Sequence, residues 1–247
     1  MPSHVTAAAL LDLPLWGVDL SMVHVTRADL HASRVEAGVV HHAAGLNDDE
    51  LCDVDGVTVT GPERTAVDVA RHVPFEAAVV VADGALRRTG NDRERLLAVM
   101  DRMRTWQGAR AAGRVVAFAD GGSESVGESR ARVQFERIGL PTPRLQAEIL
   151  GADGELYRAD FLFEEENTLG EFDGRAKYQR YLEPDEEPAD VVWREKRRED
   201  ALRGMGYGVV RLTWADLRRD AIVRERFMAA FGRGEAGRRR AATRPEG

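Results

Sequence analysis

The chain has 247 residues, with 35 Lys or Arg against 42 Asp or Glu, which gives a net charge of −7 at pH 7. That length suggests one large domain or two modest ones. A composition of 43% hydrophobic and 31% charged residues is ordinary for a globular protein and excludes a disordered or collagen-like chain. No apolar run is long enough to span a membrane, no secretory signal is recognisable, and the single cysteine, Cys52, excludes disulfides within the chain and cysteine-cluster metal sites. We therefore expect a cytoplasmic protein without a membrane partner.

The ionisable residues are unevenly distributed. Every histidine lies within the first 72 residues, so chemistry in the second half must use other groups, with carboxylates as the first candidates. Only Lys177 and Lys196 are lysines, and the remaining basic residues are arginines. An acidic chain with an arginine-rich C-terminal segment argues against strong nonspecific DNA binding, but it allows a local DNA-binding cleft.

The first half of the chain predicts a small α+β domain. Turn residues Asp55 and Gly56 separate two β-prone runs, and Gly61 with Pro62 ends the strand region. His41 and His42 suggest a metal by residue type, but no matching ligands lie at a useful spacing, so we interpret them as strand residues. The predicted elements are a helix at 5–11, strands at 22–26, 38–42 and 51–60, and helices between 63 and 118.

The second half predicts an α-β-β-β-α-β order with one more helix appended. The glycine-rich segment 120–123 is the best domain boundary, which gives domains at 1–120 and 121–234 and a basic flexible tail at 235–247. The three central strands are expected to form an antiparallel meander. The predicted elements are a helix at 126–138, strands at 144–150, 155–163 and 168–173, a helix at 190–205, a strand at 207–213 and a helix at 221–231.

Three carboxylates fall on one face of the predicted meander. If residues 164–167 form the loop, Asp160 lies opposite Glu171, and the two-residue period places Asp173 on the same face as Glu171. Like charges at a cross-strand distance of about 5 Å repel each other, and a divalent cation would offset this. Oxygen ligands without His or Cys suit Mg²⁺ or Mn²⁺. The alternative is a solvated hairpin in which Asp173 pairs with Arg158. The opposite face is expected to carry the core aromatics, Phe161, Phe163 and Phe172.

Four segments of the second half form an ordered set of motifs. They are YRADF at 157–161, GEFDG at 170–174, EKRREDAL at 195–202 and YGVVRLTW at 207–214. Together they resemble the bacterial family related to very-short-patch-repair endonucleases, within the PD-(D/E)xK, or restriction-endonuclease-like, nuclease superfamily. The resemblance implies a restriction-endonuclease-like core with a mixed sheet, in which Asp160 and Glu171 match the two metal-binding acids. It also implies that Glu128 matches the acid on the first helix.

This sequence departs from the superfamily pattern at Asp173, where a lysine would complete the second motif. Lys177, six residues after Glu171, is a candidate substitute, and a solvated helix lysine is the alternative. Glu128 also fits a capping box with Ser125, so a cap and a site role both remain open. The Phe172 carbonyl is a candidate further metal ligand. The candidate nucleic-acid contacts are Lys177, Lys196 and Arg198, although the last two also fit a charged helix face.

Segments of the first half resemble a different family. SHVTAAAL at 3–10, VHVT at 23–26 and GVTVTGPERTAVDVA at 56–70 are similar to the core of abortive-infection type IV antitoxin regulators. The resemblance implies an N-terminal winged helix that binds operator DNA, and a toxin or regulatory partner. The chain as given begins at the motif itself, so either that module is missing or the start is misassigned, and we do not carry over a repressor role.

Two functions follow as hypotheses. The first is Mg²⁺- or Mn²⁺-dependent phosphodiester hydrolysis on DNA, in repair or phage defence. In it, Asp160 and Glu171 hold the metal, Asp173 assists, Glu128 supports the site, and Lys177 or Arg198 meets phosphate charge. The second is a non-catalytic antitoxin-like regulator, or toxin–antitoxin component, with a degraded nuclease fold. A homodimer is compatible with either hypothesis.

Overall fold

The computed structural model describes residues 1–151, 154–174 and 201–242. It is a mixed α/β structure, as the sequence predicts. Contacts divide the chain into two compact units, Met1–Ser129 and Arg130–Gly247. The predicted domain boundary at 120–121 lies a few residues earlier and stays a prediction. In the described part of the chain, no helix combines the length and apolar character needed to cross a bilayer.

The first unit has strands followed by a group of helices. Its elements are α1 (His4–Leu10), β1 (Val23–Arg27), β2 (Arg34–Glu36), β3 (Val39–Ala43), a short 3₁₀ helix (Asp48–Glu50), β4 (Leu51–Val54), β5 (Val57–Thr60), α2 (Pro62–Ala70), α3 (Phe75–Arg88), α4 (Arg93–Arg102) and α5 (Ala109–Phe118). The predicted helix and strands are confirmed, and β2 was missed because its three residues are all exposed and carry no alternating pattern.

Two small sheets organise this unit. In the first, β3 lies in the middle, parallel to β1 and antiparallel to β2. In the second, β4 and β5 form the predicted hairpin, whose turn residues Asp55 and Gly56 both take positive φ angles of 52° and 81°. Pro62 occupies the first turn of α2, where its missing N–H costs nothing. The core is formed mainly by small and branched residues of α2 and α3. Residues 63–70 of α2 and 77–86 of α3 are all buried.

The second unit contains a four-stranded mixed sheet. Helix α6 (Val126–Arg137) spans the division between the units and precedes β6 (Arg144–Leu150), β7 (Leu156–Phe163) and β8 (Thr168–Phe172). Residues 201–204 are helical, and β9 (Gly208–Leu212) and α7 (Asp220–Ala242) follow. The strand order is β6-β7-β8-β9: the first three strands are antiparallel neighbours, and β9 runs parallel to β8. Most of the helix predicted at 190–205 lies outside the described residues.

The predicted aromatic face is confirmed. Phe161, Phe163 and Phe172 are almost fully buried in one cluster with residues of α6, β9 and α7. Phe135 of α6 meets the rings of Phe161 and Phe163 edge-on, with ring centroids 5.1 and 5.6 Å apart. A second cluster includes Leu162, Leu169 and Val209. The sheet is therefore covered by apolar side chains on both faces.

Helix α7 is longer than the sequence predicts. The prediction ended it at residue 231 and assigned residues 235–247 to a flexible tail, whereas the helix continues to Ala242. Gly234 and Gly237 do not end it because each packs closely against a neighbouring segment. A Cβ at Gly234 would lie 2.1 Å from the Glu166 carbonyl oxygen, and one at Gly237 would lie 2.2 Å from that of Gly206.

Candidate functional sites

The predicted register of the meander is confirmed, and it places Asp160 where two strands part. Phe163 pairs with Thr168 and Phe161 pairs with Gly170. The ladder ends there, one pair short of Asp160 and Glu171. Beyond this point the Phe172 N–H donates to Oδ2 of Asp160 at 2.7 Å. The Asp160 side chain thus takes the place of a backbone acceptor at the point where β7 and β8 separate.

The other two carboxylates lie at the C-terminal end of β8. Glu171 is opposite Arg211 of β9, and its Oε2 lies 3.5 Å from Nε of that arginine. Asp173 follows the strand, and its N–H donates to the Leu212 carbonyl at 2.7 Å. Within the described residues, these three carboxylates do not form a group whose ligand atoms all lie within 4.8 Å of one another. In the contacts given above, Asp160, Glu171 and Asp173 each have a different protein partner.

Glu128 adopts the predicted cap. Its N–H donates to Oγ of Ser125 at 3.2 Å, and its carboxylate accepts the Ser125 hydroxyl at 2.7 Å and the Glu124 N–H at 2.8 Å. The sequence predicts that the Glu128 carboxylate accepts the N–H of the cap residue, Ser125. In the structure the carboxylate accepts the N–H of the preceding residue, Glu124. The cap accounts for the burial of this carboxylate, and a role in the site stays a prediction.

The remaining predicted residues have different outcomes. The Phe172 carbonyl accepts the Gly174 N–H at 3.2 Å, so one of its lone pairs is engaged. Lys177, Lys196 and Arg198 lie outside the described residues. A cleft of about 330 Å³ beside β9 is instead lined by arginines that the sequence did not single out: Arg203, Arg211, Arg226 and Arg233.

The first unit contains a histidine cluster, defined as His4, His24 and His42. One ring nitrogen from each lies within 4.8 Å of the others, and the described residues contain no further group of three or more such ligands. Helix α1 contributes His4, β1 contributes His24 and β3 contributes His42. In the parallel register of β1 and β3, His24 and His42 are two positions apart. Nδ1 of His24 lies 3.0 Å from Nε2 of His42, and the rings of His4 and His42 stack with centroids 3.6 Å apart.

Polar groups hold His4 in place. Its Nδ1 is hydrogen-bonded to the Ser3 hydroxyl at 2.9 Å. The Ser3 hydroxyl in turn accepts a hydrogen bond from the Thr26 hydroxyl at 2.8 Å. Within the described part of the chain, Nε2 of His4 is buried without a hydrogen-bond partner, and Oδ1 of Asp68 lies 3.9 Å away, too far for a hydrogen bond. His4 also has a φ of 53°, an uncommon conformation for a residue with a side chain, at the first position of α1.

Burial keeps these imidazoles neutral. It lowers the pKa of His4 well below the ordinary value, and the neighbouring His42, His72 and His24 lower it further. Burial and the nearby histidines also lower the pKa of His42 to about 4, and burial lowers the pKa of His24 and His72. Desolvation disfavours the charged form, so each ring has one unprotonated nitrogen at neutral pH.

A cavity of about 350 Å³ adjoins the cluster within the first unit. His4, His42 and His72 line it together with Trp106 and Arg71. The Arg71 guanidinium lies 5.1 Å from the centre of the Trp106 ring. The cavity is therefore bounded by neutral imidazoles on one side and by a cation on an aromatic ring on the other.

Sequence reasoning missed this cluster because its members are far apart in the chain. The prediction that His41 and His42 are strand residues is confirmed, and the structure brings His4 and His24 beside His42 although no spacing in the sequence indicates it. The only signal in the sequence is the confinement of all histidines to the first 72 residues. Bringing them together requires the parallel register of β1 and β3, which the sequence does not specify.

The described residues define a mixed α/β protein with a partly buried histidine cluster in one unit and a carboxylate-bearing sheet in the other. Two Mycobacterium tuberculosis proteins, "Uncharacterized protein MT2308" of strain CDC 1551 / Oshkosh and "Uncharacterized protein Rv2248" of strain ATCC 25618 / H37Rv, are each 30% identical over 223 residues. The match covers 89% of this chain and 78% of each relative. The chain belongs to the family of these proteins. No protein-family model and no solved structure matches it.

Proposed function

We propose that the second unit is a restriction-endonuclease-like nuclease domain that hydrolyses phosphodiester bonds in DNA with Mg²⁺ or Mn²⁺. The observation that carries the proposal is the position of Asp160 where β7 and β8 separate, one residue beyond the pair of Phe161 with Gly170 that precedes Glu171. Support also comes from the strand order β6-β7-β8-β9 with α6 before it, since this arrangement agrees with the α-β-β-β-α-β core that the motif resemblance implies. The link to DNA rests on that resemblance.

The donor atoms suit a hard cation. Asp160 and Glu171 each supply a carboxylate, of which Oδ2 of Asp160 accepts the Phe172 N–H, and the Phe172 carbonyl has two lone pairs, one of which accepts the Gly174 N–H. Mg²⁺ keeps several waters and uses one or two protein carboxylates, so a three-carboxylate cage is not required. When bound, the ion would polarise the phosphate and lower the pKa of a water ligand.

The protein groups would orient the phosphodiester and offset its charge. The arginine-lined cleft beside β9 includes Arg211, which is also the partner of Glu171, so a phosphate held there lies next to the candidate carboxylates. Guanidinium groups bind phosphate through paired N–H donors. Asp173 follows Glu171 by two residues and is a candidate to accept a proton from the attacking water.

Substitution of Asp160 tests the proposal. Asp160→Asn keeps an oxygen to accept the Phe172 N–H, so the strands stay joined while the negative charge of the ligand is lost. We expect Asp160→Asn and Glu171→Gln to lower Mg²⁺-dependent cleavage of supercoiled plasmid and single-stranded DNA by about 100-fold or more, since a metal supplies several kcal/mol to the transition state.

The matched control is Glu148→Gln, which changes an exposed carboxylate on β6 of the same sheet. This control should cleave like the wild type. Equal cleavage by all variants would point to a contaminating nuclease and overturn the proposal, as would cleavage that is unaffected by a chelator.

The second candidate is a DNA-binding regulator without catalysis. The contacts of Asp160 with the Phe172 N–H and of Glu171 with Arg211 favour it, because they stabilise both carboxylates without a metal ion. DNA binding by the intact protein without Mg²⁺- or Mn²⁺-dependent cleavage would support this candidate over the first. Its affinity should then fall steeply with salt, as phosphate contacts do.

A further inference from the structure

We propose that the histidine cluster, His4, His24 and His42, is a binding site for a divalent transition metal of the Zn²⁺ type. The site lies entirely in the first unit and is independent of the proposed nuclease activity. Three imidazoles are a donor set typical of zinc sites that keep one coordination position open. Borderline-soft nitrogen ligands also separate this site from the oxygen-only carboxylates, which suit Mg²⁺.

The spacing of the ring nitrogens agrees with shared coordination. At Zn–N distances of about 2.0–2.1 Å, two ligand nitrogens of a tetrahedral site are about 3.3 Å apart. Nδ1 of His24 and Nε2 of His42 are 3.0 Å apart in a hydrogen bond between the two rings, so an ion that displaces the shared proton requires this pair to move by only a few tenths of an ångström. The third ring places a nitrogen within 4.8 Å of both. Because β1 and β3 pair in register, the backbone fixes the positions of the two strand histidines.

His4 gives the strongest reason to expect an additional ligand. A buried polar atom without a hydrogen-bond partner destabilises the folded state, and among the described residues Nε2 of His4 is such an atom. Metal coordination would use its lone pair. Nδ1 must then carry the proton and donate to the Ser3 hydroxyl, which lies at hydrogen-bond distance. This is the outer contact that orients metal-bound histidines in proteins.

The surroundings leave room for a fourth ligand and supply a compensating charge. The 350 Å³ cavity is lined by His4 and His42, so water or an anionic group can complete the coordination. Asp68, 3.9 Å from His4, adds a buried carboxylate beside the cluster. Arg71, paired with the same carboxylate at 3.3 Å, lines the cavity and would favour an anion as the fourth ligand.

The test uses the full-length, metal-free protein without a polyhistidine tag. Zn²⁺ is titrated in competition with a chromogenic chelator, and Co²⁺ is followed by its visible absorption, which reports tetrahedral coordination. We expect one ion per chain with a Kd of about 1 μM or lower. His24→Gln and His42→Gln should weaken binding by about 100-fold or more, because even the loss of an outer contact costs 10- to 100-fold.

Two further variants keep the outcome decisive. His31→Gln changes an exposed histidine outside the cluster and should bind as the wild type does. Ser3→Ala removes only the outer contact to His4 and should weaken binding by about 10-fold or more while all three imidazoles remain. Circular dichroism confirms that each variant is folded. Absence of binding to folded wild type, or unchanged binding in folded His24→Gln and His42→Gln, would overturn the proposal.

Discussion

Arg64 is a buried cation whose partners are also buried. It is 2% exposed and donates at 2.8 Å to both Glu50 and Asp68, while its guanidinium lies 5.2 Å from the centre of the Trp106 ring. Burial raises the pKa of Asp68, and the adjacent Arg64 and Arg71 oppose that shift. Removing the cation would leave Asp68 with Arg71 and Glu50 with Arg102 as their remaining ion-pair partners, and the loss of a buried partner costs far more than the loss of a surface ion pair.

We predict that Arg64→Ala lowers the free energy of unfolding by about 3–5 kcal/mol, measured by chemical denaturation. The matched control is Arg104→Ala, since Arg104 forms an exposed ion pair with Asp101 at 4.0 Å. That variant should change stability by less than about 1 kcal/mol. Similar losses in the two variants would contradict the interpretation that the buried network stabilises the first unit.

The effect on stability of replacing a glycine of α7 by alanine depends on how closely that glycine packs against other segments. In an exposed helix interior, alanine is favoured over glycine by about 1 kcal/mol. Gly232 has open space around its Cα, so Gly232→Ala should stabilise the protein by up to about that amount. A Cβ at Gly234 would lie 2.1 and 2.5 Å from the carbonyl oxygens of Glu166 and Asn167, which are backbone atoms that cannot rotate away.

We therefore predict that Gly234→Ala destabilises the protein by about 1–3 kcal/mol, the usual cost of overpacking, despite the better helix propensity of alanine. Thermal unfolding of both variants measures the difference. If the two alanine variants shift the midpoint in the same direction, α7 does not pack against the β7–β8 turn as described.

The ends of the strands and helices differ in how well the sequence predicts them. The bounds of β6, β7 and β8 agree with prediction to within one residue because turn residues lie on both sides of each strand. The end of α7 was missed because glycines often end helices. Gly234 and Gly237 lie inside α7 because each packs closely against another segment of the chain.

For the whole molecule, α6 is the element that joins the two units. Its capping residues Ser125 and Glu128 lie in the first unit, while Ala131 and Phe135 belong to the core cluster of the second. A fragment of residues 121–247 retains the cap, and a fragment of residues 130–247 loses the cap and the first turn.

We predict that the longer fragment is more stable than the shorter one by about 1–2 kcal/mol, the range measured for helix caps. Urea denaturation followed by circular dichroism compares them, and Ser125→Ala in the longer fragment is the control that removes only the cap. If the shorter fragment proves as stable, the cap does not contribute to the second unit, and a domain boundary at 129–130 is preferable to one at 120–121.

The sequence by itself determined the mixed α/β class, the meander, the register that relates Asp160 to Glu171, and the burial of Phe161, Phe163 and Phe172. These features depend on local periodicity and on a four-residue loop, so neighbouring residues contain the information. Only the tertiary structure decided the ligand-like grouping of the histidines and the pairing of Glu171 with Arg211. Those depend on the pairing of β1 with β3 and of β8 with β9, because parallel strands are joined by long connections that leave their register unspecified in the sequence.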